Sequence, residues 1–235
     1  MTNARAQRQI LVLTLVAATI LMITMGARQT SGLFLLPITQ STGVTVVAFS
    51  FALAIGQFMF GMAQPVFAAI ADKYGAIKVI VAGALLLALG SALTPFMTSS
   101  GGLLFTMGVL AAGGAAAGSF SILIGIASQR LPVERRSFAS GFINAGGSIG
   151  QFVFAPAVQW FIGFAGWASA MFFTAAAALL TIPLAMLLRE PRSASAHAPH
   201  AAQTPHIGLG DQIRDALRNP SYLYLHAGFF TCGFH

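Results

Sequence analysis

The chain has 235 residues, of which 57% are hydrophobic and only 7% are charged. A soluble domain usually carries about 25% charged residues, so the composition argues against a water-soluble globular enzyme. The formal charge of +7 comes from short clusters that are separated by long uncharged stretches. This distribution is typical of a membrane protein with several spans, and not of a nucleic-acid-binding domain.

Motifs of soluble enzymes and metal sites are absent from the sequence. Cys232 is the single cysteine, which excludes an internal disulfide and a cysteine-based metal site. The sequence contains no CxxC, HExxH, Walker-type or GxSxG pattern. His197, His200 and His206 are loosely spaced like metal ligands, but they lie among prolines. We therefore predict no enzymatic activity, no metal and no cofactor.

Six uncharged runs are long enough to cross a bilayer, which takes about 20 mostly apolar residues. They cover residues 10–37, 47–71, 79–97, 103–129, 138–163 and 167–188. The first run is too long for a signal peptide and lacks a small-x-small cleavage site, so it is predicted to be a span. A further run begins at Ser221 and reaches His235 before it is long enough to cross, and we interpret the chain as ending inside a helix.

The charged residues between the runs predict the orientation. They lie on alternate connections only: Arg5 and Arg8; Asp72, Lys73 and Lys78; Arg130, Glu134, Arg135 and Arg136. The other connections, at residues 39–45, 98–102 and 163–166, carry no charge. The positive-inside rule then places the N-terminus in the cytoplasm, with the protein in a cell membrane that we expect to be a bacterial inner membrane.

The composition changes after the sixth run. Residues 190–220 are rich in Pro, Ser and His, which is typical of a solvated linker. Leu209, Ile213 and Leu217 recur every four residues, which predicts a short amphipathic helix near the end of that linker. The predicted organisation is therefore a six-helix transmembrane bundle at 1–189, a cytoplasmic linker at 190–220 and the start of a seventh span at 221–235.

Three segments resemble one family of membrane proteins. Asp72-Lys73-Tyr74-Gly75, followed by Lys78, resembles the loop signature Gly-x-x-x-Asp-(Arg/Lys)-x-Gly of the major facilitator superfamily, with Ala68 at the leading glycine. Residues 130–156 resemble the loop 4-5 and helix 5 pattern of the monocarboxylate-porter-like branch, and residues 26–37 are similar to helix 1 of its bacterial members. The first span departs from the acidic-Gly-Gly-Trp-Gly-Trp motif of the animal monocarboxylate carriers.

The resemblance implies an all-α integral membrane fold of two six-helix bundles, twelve helices in all, with the substrate between the halves. This chain matches the N-terminal bundle, so transport needs the C-terminal half or a second copy of the chain. The resemblance also implies that Asp72, Lys73, Gly75 and Lys78 form a conformational latch. The alternative for these residues is a simple solvated turn.

Arg28 is the only ionisable side chain within the six predicted spans. A central Arg costs about 2.5 to 3.5 kcal/mol on insertion scales and usually faces a cavity. A guanidinium suits a carboxylate because its planar fork donates two parallel hydrogen bonds. Arg28 is therefore predicted to bind or attract an anionic substrate. The alternatives are that it extends outward to the interface or pairs with an acid outside this half.

Uncharged polar residues and glycines within the spans form two further groups of candidates. Gln29, Gln57, Asn144 and Gln151 are predicted to line the substrate cavity, although hydrogen bonds between packed helices would explain them equally well. Gly114 with Gly118, and Gly146 with Gly150, have GxxxG spacing and are predicted to let helices approach closely, with a hinge surface as the alternative.

Together these observations predict a secondary active transporter of a small organic anion, a monocarboxylate or dicarboxylate, by proton symport or anion exchange. The six spans contain no Asp, Glu or His, so a coupled proton must travel on the substrate acid or on residues outside this half. The predicted partners are the anionic substrate, protons and the lipid bilayer. The alternatives are a drug or metabolite efflux transporter, and a non-transporting membrane sensor or half-transporter fragment.

Overall fold

The computed structural model describes residues 3–188, 214, 218–221, 223 and 224, with side chains from Gln7 onward. The chain divides into two compact units, Met1–Arg189 and Glu190–His235. The predicted linker, its amphipathic helix, the three linker histidines and the start of a seventh span lie almost entirely outside the described residues. The elements below all belong to the first unit, and its described residues contain helices and turns without a strand, which confirms the predicted all-α class.

The first apolar stretch, Gln7–Thr42, is helical throughout but changes its winding near the middle. It consists of α1 (Asn3–Gln29), a 3-10 segment (Thr30–Phe34) and α2 (Leu35–Thr42). The predicted end at residue 37 is wrong by five residues because Pro37 lies in the first turn of α2, where a proline is tolerated. The helix ends instead at Gly43, whose φ of 73° is left-handed.

The second and third stretches form an antiparallel pair around a glycine turn. Helix α3 covers Val46–Tyr74. Thr45 caps its N-terminus, because the Thr45 hydroxyl accepts a 3.2 Å hydrogen bond from the Ala48 amide. Helix α4 covers Ala76–Leu93 and continues into a 3-10 segment, Thr94–Phe96. Gly75, the single residue between α3 and α4, has a φ of 95° that side chains rarely allow.

The fourth stretch, Ser100–Arg130, is broken into several pieces. It contains α5 (Ser100–Leu103), a π-helical segment (Leu104–Ala111), α6 (Ala112–Ala116) and, after a turn, α7 (Phe120–Arg130). The span predicted for residues 103–129 falls within this stretch, and its helical winding changes along its length. Glycines are frequent here, and each weakens the preference of the backbone for α-helix: Gly101, Gly102, Gly108, Gly113, Gly114 and Gly118.

The last stretch is α8 (Val133–Leu187), whose 55 residues correspond to about 80 Å, far more than a bilayer is thick. Gly166 interrupts it with a φ of 83° and a ψ of 165°, a conformation essentially restricted to glycine, so two helices join there. The predicted connection at residues 163–166 thus shrinks to one residue. In the described chain, five stretches are long and apolar enough to span a membrane, and the fifth contains this break.

The bundle is closed mainly by α8, which packs along α1 and against α4. Buried side chains fill the space between the helices, among them Ile20, Phe34, Phe49, Ile80 and Leu123. Large apolar side chains also cover the outside of the bundle, including Phe58, Phe152 and Phe164. An apolar exterior over a helical core is typical of a protein whose solvent is lipid.

Candidate functional site

A cavity of about 200 Å³ lies inside the first unit, between α1, α3, α4, the π-helical segment and the part of α8 after Gly166. Gln29, Gly32 and Gln57 line it and are exposed, so they form its rim. Leu87 and Ser91 line it and are buried, so they form its inner wall. The cavity is therefore a cleft that opens at the surface of the bundle and ends among its core residues.

Arg28 lines this cleft from the last turn of α1, directly before the winding changes to 3-10. It lies 14 residues before Thr42, about 21 Å along the axis, and hence well inside the apolar stretch Gln7–Thr42. The Cζ atom of Arg28 is 4.0 Å from the centroid of the Phe60 ring. Nη1 donates a 3.2 Å hydrogen bond to Oε1 of Gln29.

The contact with Phe60 requires no hydrogen bond from Arg28. A cation over an aromatic face is stabilised by the ring quadrupole, so the ring stabilises the charge without pairing an N–H donor. Among the described residues, Gln29 is the one hydrogen-bond acceptor of Arg28, so most of its five donors remain available. A carboxylate that enters the cleft can accept two of them in parallel.

The other predicted substrate residues fall into two places. Gln29 and Gln57 border the cleft beside Arg28. Asn144 and Gln151 instead lie on an exposed row of α8 and do not border it. The structure therefore brings Arg28 together with the two glutamines, and a role for Asn144 and Gln151 in the same site stays a prediction.

Three residues of the site were missed in the sequence. Phe60, which carries the Arg28 guanidinium, follows Gln57 by three positions on the same face of α3. Ser91 lies in α4, Thr94 follows it by three positions at the start of the 3-10 segment, and both line the cleft. Single hydroxyls are common in apolar helices, so one alone does not indicate a site. The spacing of Ser91 and Thr94 by three positions was the one sequence feature that could have indicated a polar face there.

The predicted latch residues lie at the junction of α3 and α4. Asp72 and Lys73 are exposed, and Nζ of Lys73 is 5.3 Å from the centroid of the Tyr74 ring. Asp72, Gly75 and Lys78 border a groove of about 830 Å³, which Arg130 also lines. Gly75 has a positive φ of 95°, so the turn between α3 and α4 requires a glycine there whether or not a latch exists. A latch at these four residues stays a prediction.

The four glycines with GxxxG spacing all lie at close helix contacts. A methyl group on Gly146 would lie 2.5 Å from the carbonyl oxygen of Ala18, and one on Gly150 would overlap the carbonyl oxygen of Met22. Gly114 lies against the backbone of α4 at Gly83 and Leu87, and Gly118, in the turn after α6, lies against the Thr24 side chain of α1. Thr24 also donates a 3.0 Å hydrogen bond to the Gly118 carbonyl, so its hydroxyl serves helix packing.

Comparison with known proteins identifies the family. A match to the Major Facilitator Superfamily covers residues 16–235. The chain belongs to this superfamily. The family predicted from the sequence is therefore confirmed, and with it a membrane protein of several spans in a family of transporters.

Three curated relatives are similar to this major facilitator chain. Monocarboxylate transporter 13 of Bos taurus is 29% identical over 199 residues, which are 84% of this chain and 44% of the relative. Monocarboxylate transporter 13 of Rattus norvegicus is 32% identical over 64% of this chain and 33% of the relative. Monocarboxylate transporter 11 of Mus musculus is 31% identical over 68% of this chain and 34% of the relative. The chain thus spans less than half the length of these relatives.

Proposed function

We propose that this chain is the N-terminal half of a secondary active transporter that carries a small organic anion, a monocarboxylate or dicarboxylate, by alternating access. The proposed architecture has six membrane helices, counting α8 as two, within a twelve-helix fold whose substrate lies between the halves. Family membership and the names of the relatives support the transport reaction. The placement of Arg28 in a cleft within an apolar bundle supports the anionic substrate.

The energetic argument rests on the cost of an intramembrane charge. A guanidinium at this depth costs several kcal/mol unless its surroundings compensate it, and such residues mark substrate or ion pathways. Phe60 and Gln29 supply part of the compensation, while the free N–H donors leave the positive charge unneutralised. We propose that an anion in the cleft supplies the missing countercharge and accepts hydrogen bonds from the side-chain amides of Gln29 and Gln57, which border the cleft.

The coupling ion and the topology complete the proposal. The apolar spans supply no Asp, Glu or His, so we propose proton symport with the proton on the substrate acid or on the second half, or else anion exchange. We also propose that the protein lies in a bacterial inner membrane with its N-terminus in the cytoplasm, which the distribution of charge among the loops supports. Asn144 and Gln151 lie on the exposed row of α8 in this chain. We propose that they face the substrate path from a different helix than Arg28.

Efflux of a hydrophobic compound is the second candidate function. The observation that favours it is the apolar wall of the cleft, which includes Leu53, Met107 and Met171. Such a substrate gains nothing from Arg28, because burial of apolar surface and not charge pairing would hold it. The two candidates therefore differ in their dependence on that one side chain.

The deciding experiment measures uptake into proteoliposomes that contain the complete gene product including this chain. Arg28→Ala is expected to reduce uptake of three- and four-carbon carboxylates by about tenfold or more, because a hydrogen bond to a charged group is worth about 1.5–3 kcal/mol. Arg28→Lys keeps the charge but loses the fork, and is expected to retain part of the uptake.

Arg8→Ala is the matched control because it removes the same charge from an exposed position on the same helix. Its carboxylate uptake is expected to equal that of the unmodified protein. Full carboxylate uptake by Arg28→Ala contradicts the anion proposal. Unchanged export of a neutral apolar compound by the same variant then supports the efflux function.

A further inference from the structure

Ser91 differs from the other buried hydroxyl residues that line the cleft. Thr94 donates a 2.7 Å hydrogen bond to the carbonyl of Gly90, and Thr174 donates a 2.9 Å hydrogen bond to the carbonyl of Ala170. Both hydroxyls are therefore satisfied within their own helices. Ser91 is only 5% exposed, and its hydroxyl makes no hydrogen bond to any residue that the structure describes.

The Ser91 hydroxyl has no protein partner among the described residues, and its oxygen is open to the cleft instead of being sealed in the core. Water can satisfy such a group, so a guest that displaces that water loses affinity unless it replaces the hydrogen bond. Ser91 borders the cleft, so a guest there can satisfy it. A serine hydroxyl is both a donor and an acceptor, and it can therefore pair with either a hydroxyl or a carbonyl oxygen.

The two polar features of the cleft are separated by apolar surface. Arg28 lies near the rim, where its guanidinium contacts exposed Gln29, whereas Ser91 belongs to the buried inner wall. Leu53, Leu87 and Met107 contribute apolar wall to the same cleft. The complementary guest carries a negative charge at one end, an apolar middle and an oxygen at the other end.

The volume of the cleft is sufficient for a short guest. The cleft leaves about 200 Å³ in which the centre of a water molecule can move, far more than the roughly 10–15 Å³ that a single water needs. A short carboxylate with one further oxygen is therefore small enough to enter.

We propose that Ser91 is a specificity-determining residue that binds the distal oxygen of a short ω-hydroxy or ω-oxo carboxylate whose carboxylate is held by Arg28. This inference rests on the proposed anion transport and adds a second contact inside the bundle. According to this inference, the inner wall of the cleft discriminates between carboxylates that have equal charge and similar length.

The test compares competition by three carboxylates for uptake in proteoliposomes that contain the complete gene product. Butanoate has no distal oxygen, 4-hydroxybutanoate has one, and 2-hydroxybutanoate carries its hydroxyl beside the carboxylate. The unmodified protein is expected to prefer 4-hydroxybutanoate to butanoate. Ser91→Ala is expected to lower that preference by about three- to tenfold, the usual worth of one neutral hydrogen bond, and to leave the ratio for 2-hydroxybutanoate unchanged.

Two further variants keep the test independent of folding. Ser91→Cys retains a side chain of similar size with a weaker hydrogen bond, and its preference is expected to fall between serine and alanine. Ser169→Ala removes a serine hydroxyl outside the cleft, one that bonds to the Ala165 carbonyl, and is expected to leave the preference unchanged.

The outcomes separate this inference from the function on which it rests. Equal preferences in Ser91→Ala and the unmodified protein overturn the role of Ser91 while Arg28-dependent uptake stands. An equal loss for 2-hydroxybutanoate and 4-hydroxybutanoate overturns the assignment to the distal oxygen. Carboxylate uptake that does not depend on Arg28 overturns the proposed function itself, and the present inference with it.

Discussion

Two faces of α1 serve different purposes. Ala18, Met22 and Gly26 recur every four residues and form a row that meets α8 at Gly146, Gly150 and Phe154. Arg28 follows Gly26 by two positions, about 200° around the helix axis, and faces the cleft. One face is thus closed by backbone contact, whereas the other holds Arg28, the one charged side chain within the six predicted spans, beside the cleft.

This difference follows from the physics of a helix bundle in lipid. Lipid tails are as apolar as the side chains, so closure depends on van der Waals contact, and small residues permit the closest contact. A charge is tolerated only where a cavity, an aromatic ring or a counter-ion compensates it. The α1–α8 contact therefore gives a rigid support from which Arg28 projects into a space that is not filled.

Enlarging a glycine in the α1–α8 contact is expected to have the largest effect. Gly150→Val places a side chain against the carbonyl of Met22, which must move the backbone of one helix. Overpacking of this kind costs about 1–3 kcal/mol or more. We expect a lower thermal unfolding temperature and less monodisperse protein on size-exclusion chromatography.

Gly141→Val is the control for that prediction. Gly141 lies on the same helix and is exposed, and a methyl group added to it would meet no heavy atom within 4 Å. The same substitution there is expected to leave the unfolding temperature nearly unchanged. Equal destabilisation by the two variants contradicts the assignment of close contact to Gly150.

Substitution of Phe60 tests the face of α1 that borders the cleft, because the Phe60 ring lies under the Arg28 guanidinium. Phe60→Leu keeps an apolar side chain but removes the ring beneath Arg28, which is expected to weaken anion binding through a less well positioned guanidinium. A cation–π contact is worth about 0.5–2 kcal/mol, so the half-saturating carboxylate concentration is expected to rise several-fold. Concentration-dependent uptake measures it, with the fold of the protein checked by thermal unfolding.

Phe58→Leu provides the matched comparison because Phe58 lies on the same helix and is 62% exposed on the outside of the bundle. It removes an equal amount of aromatic surface without touching Arg28. A rise in the half-saturating concentration that is as large for Phe58→Leu as for Phe60→Leu refutes a specific role for the ring under the guanidinium.

The sequence predicted the closed face better than the open one. Gly146 and Gly150 lie on one face of α8, so helical periodicity alone predicts that they meet the same neighbour. Gly118 lies in the turn after α6, so its contact with Thr24 does not follow from the helical spacing. Arg28 was visible because a charge inside an apolar run is conspicuous. Phe60 and Ser91 were not, since aromatic rings and single hydroxyls are ordinary in such runs and only the tertiary packing distinguishes them.

The breaks in the helices were predicted unevenly for a related reason. Loops with charges or prolines are marked by composition, so the turn at Gly75 and the connection near Pro132 were located. The π-helical segment Leu104–Ala111 and the turn that follows α6 have the hydropathy of the helices around them. Hydropathy reports the solvent of a segment and not its winding, and it therefore missed both irregularities.

Substitution of Asp72 is expected to have the smallest effect. It tests whether the charged loop between α3 and α4 influences how the bundle moves between its inward-open and outward-open states. The Asp72 carboxylate is exposed, and α4 begins four residues later without a side-chain cap. A charge near a helix terminus is worth about 0.3–1 kcal/mol, so Asp72→Asn is expected to change the ratio of inward-open to outward-open protein by about two- to fivefold. Distances between spin labels on the two halves of the complete gene product measure that ratio.

The choice of variant matters because Gly75 is constrained by its own backbone. A φ of 95° makes any substitution there strained, so Gly75→Ala would alter the loop whether or not a latch exists. Glu134→Gln, at an exposed carboxylate in the first turn of α8, neutralises the same charge at another loop and is the better control. If Asp72→Asn and Glu134→Gln both leave the ratio of states unchanged, Asp72 belongs to a solvated turn and the latch is refuted.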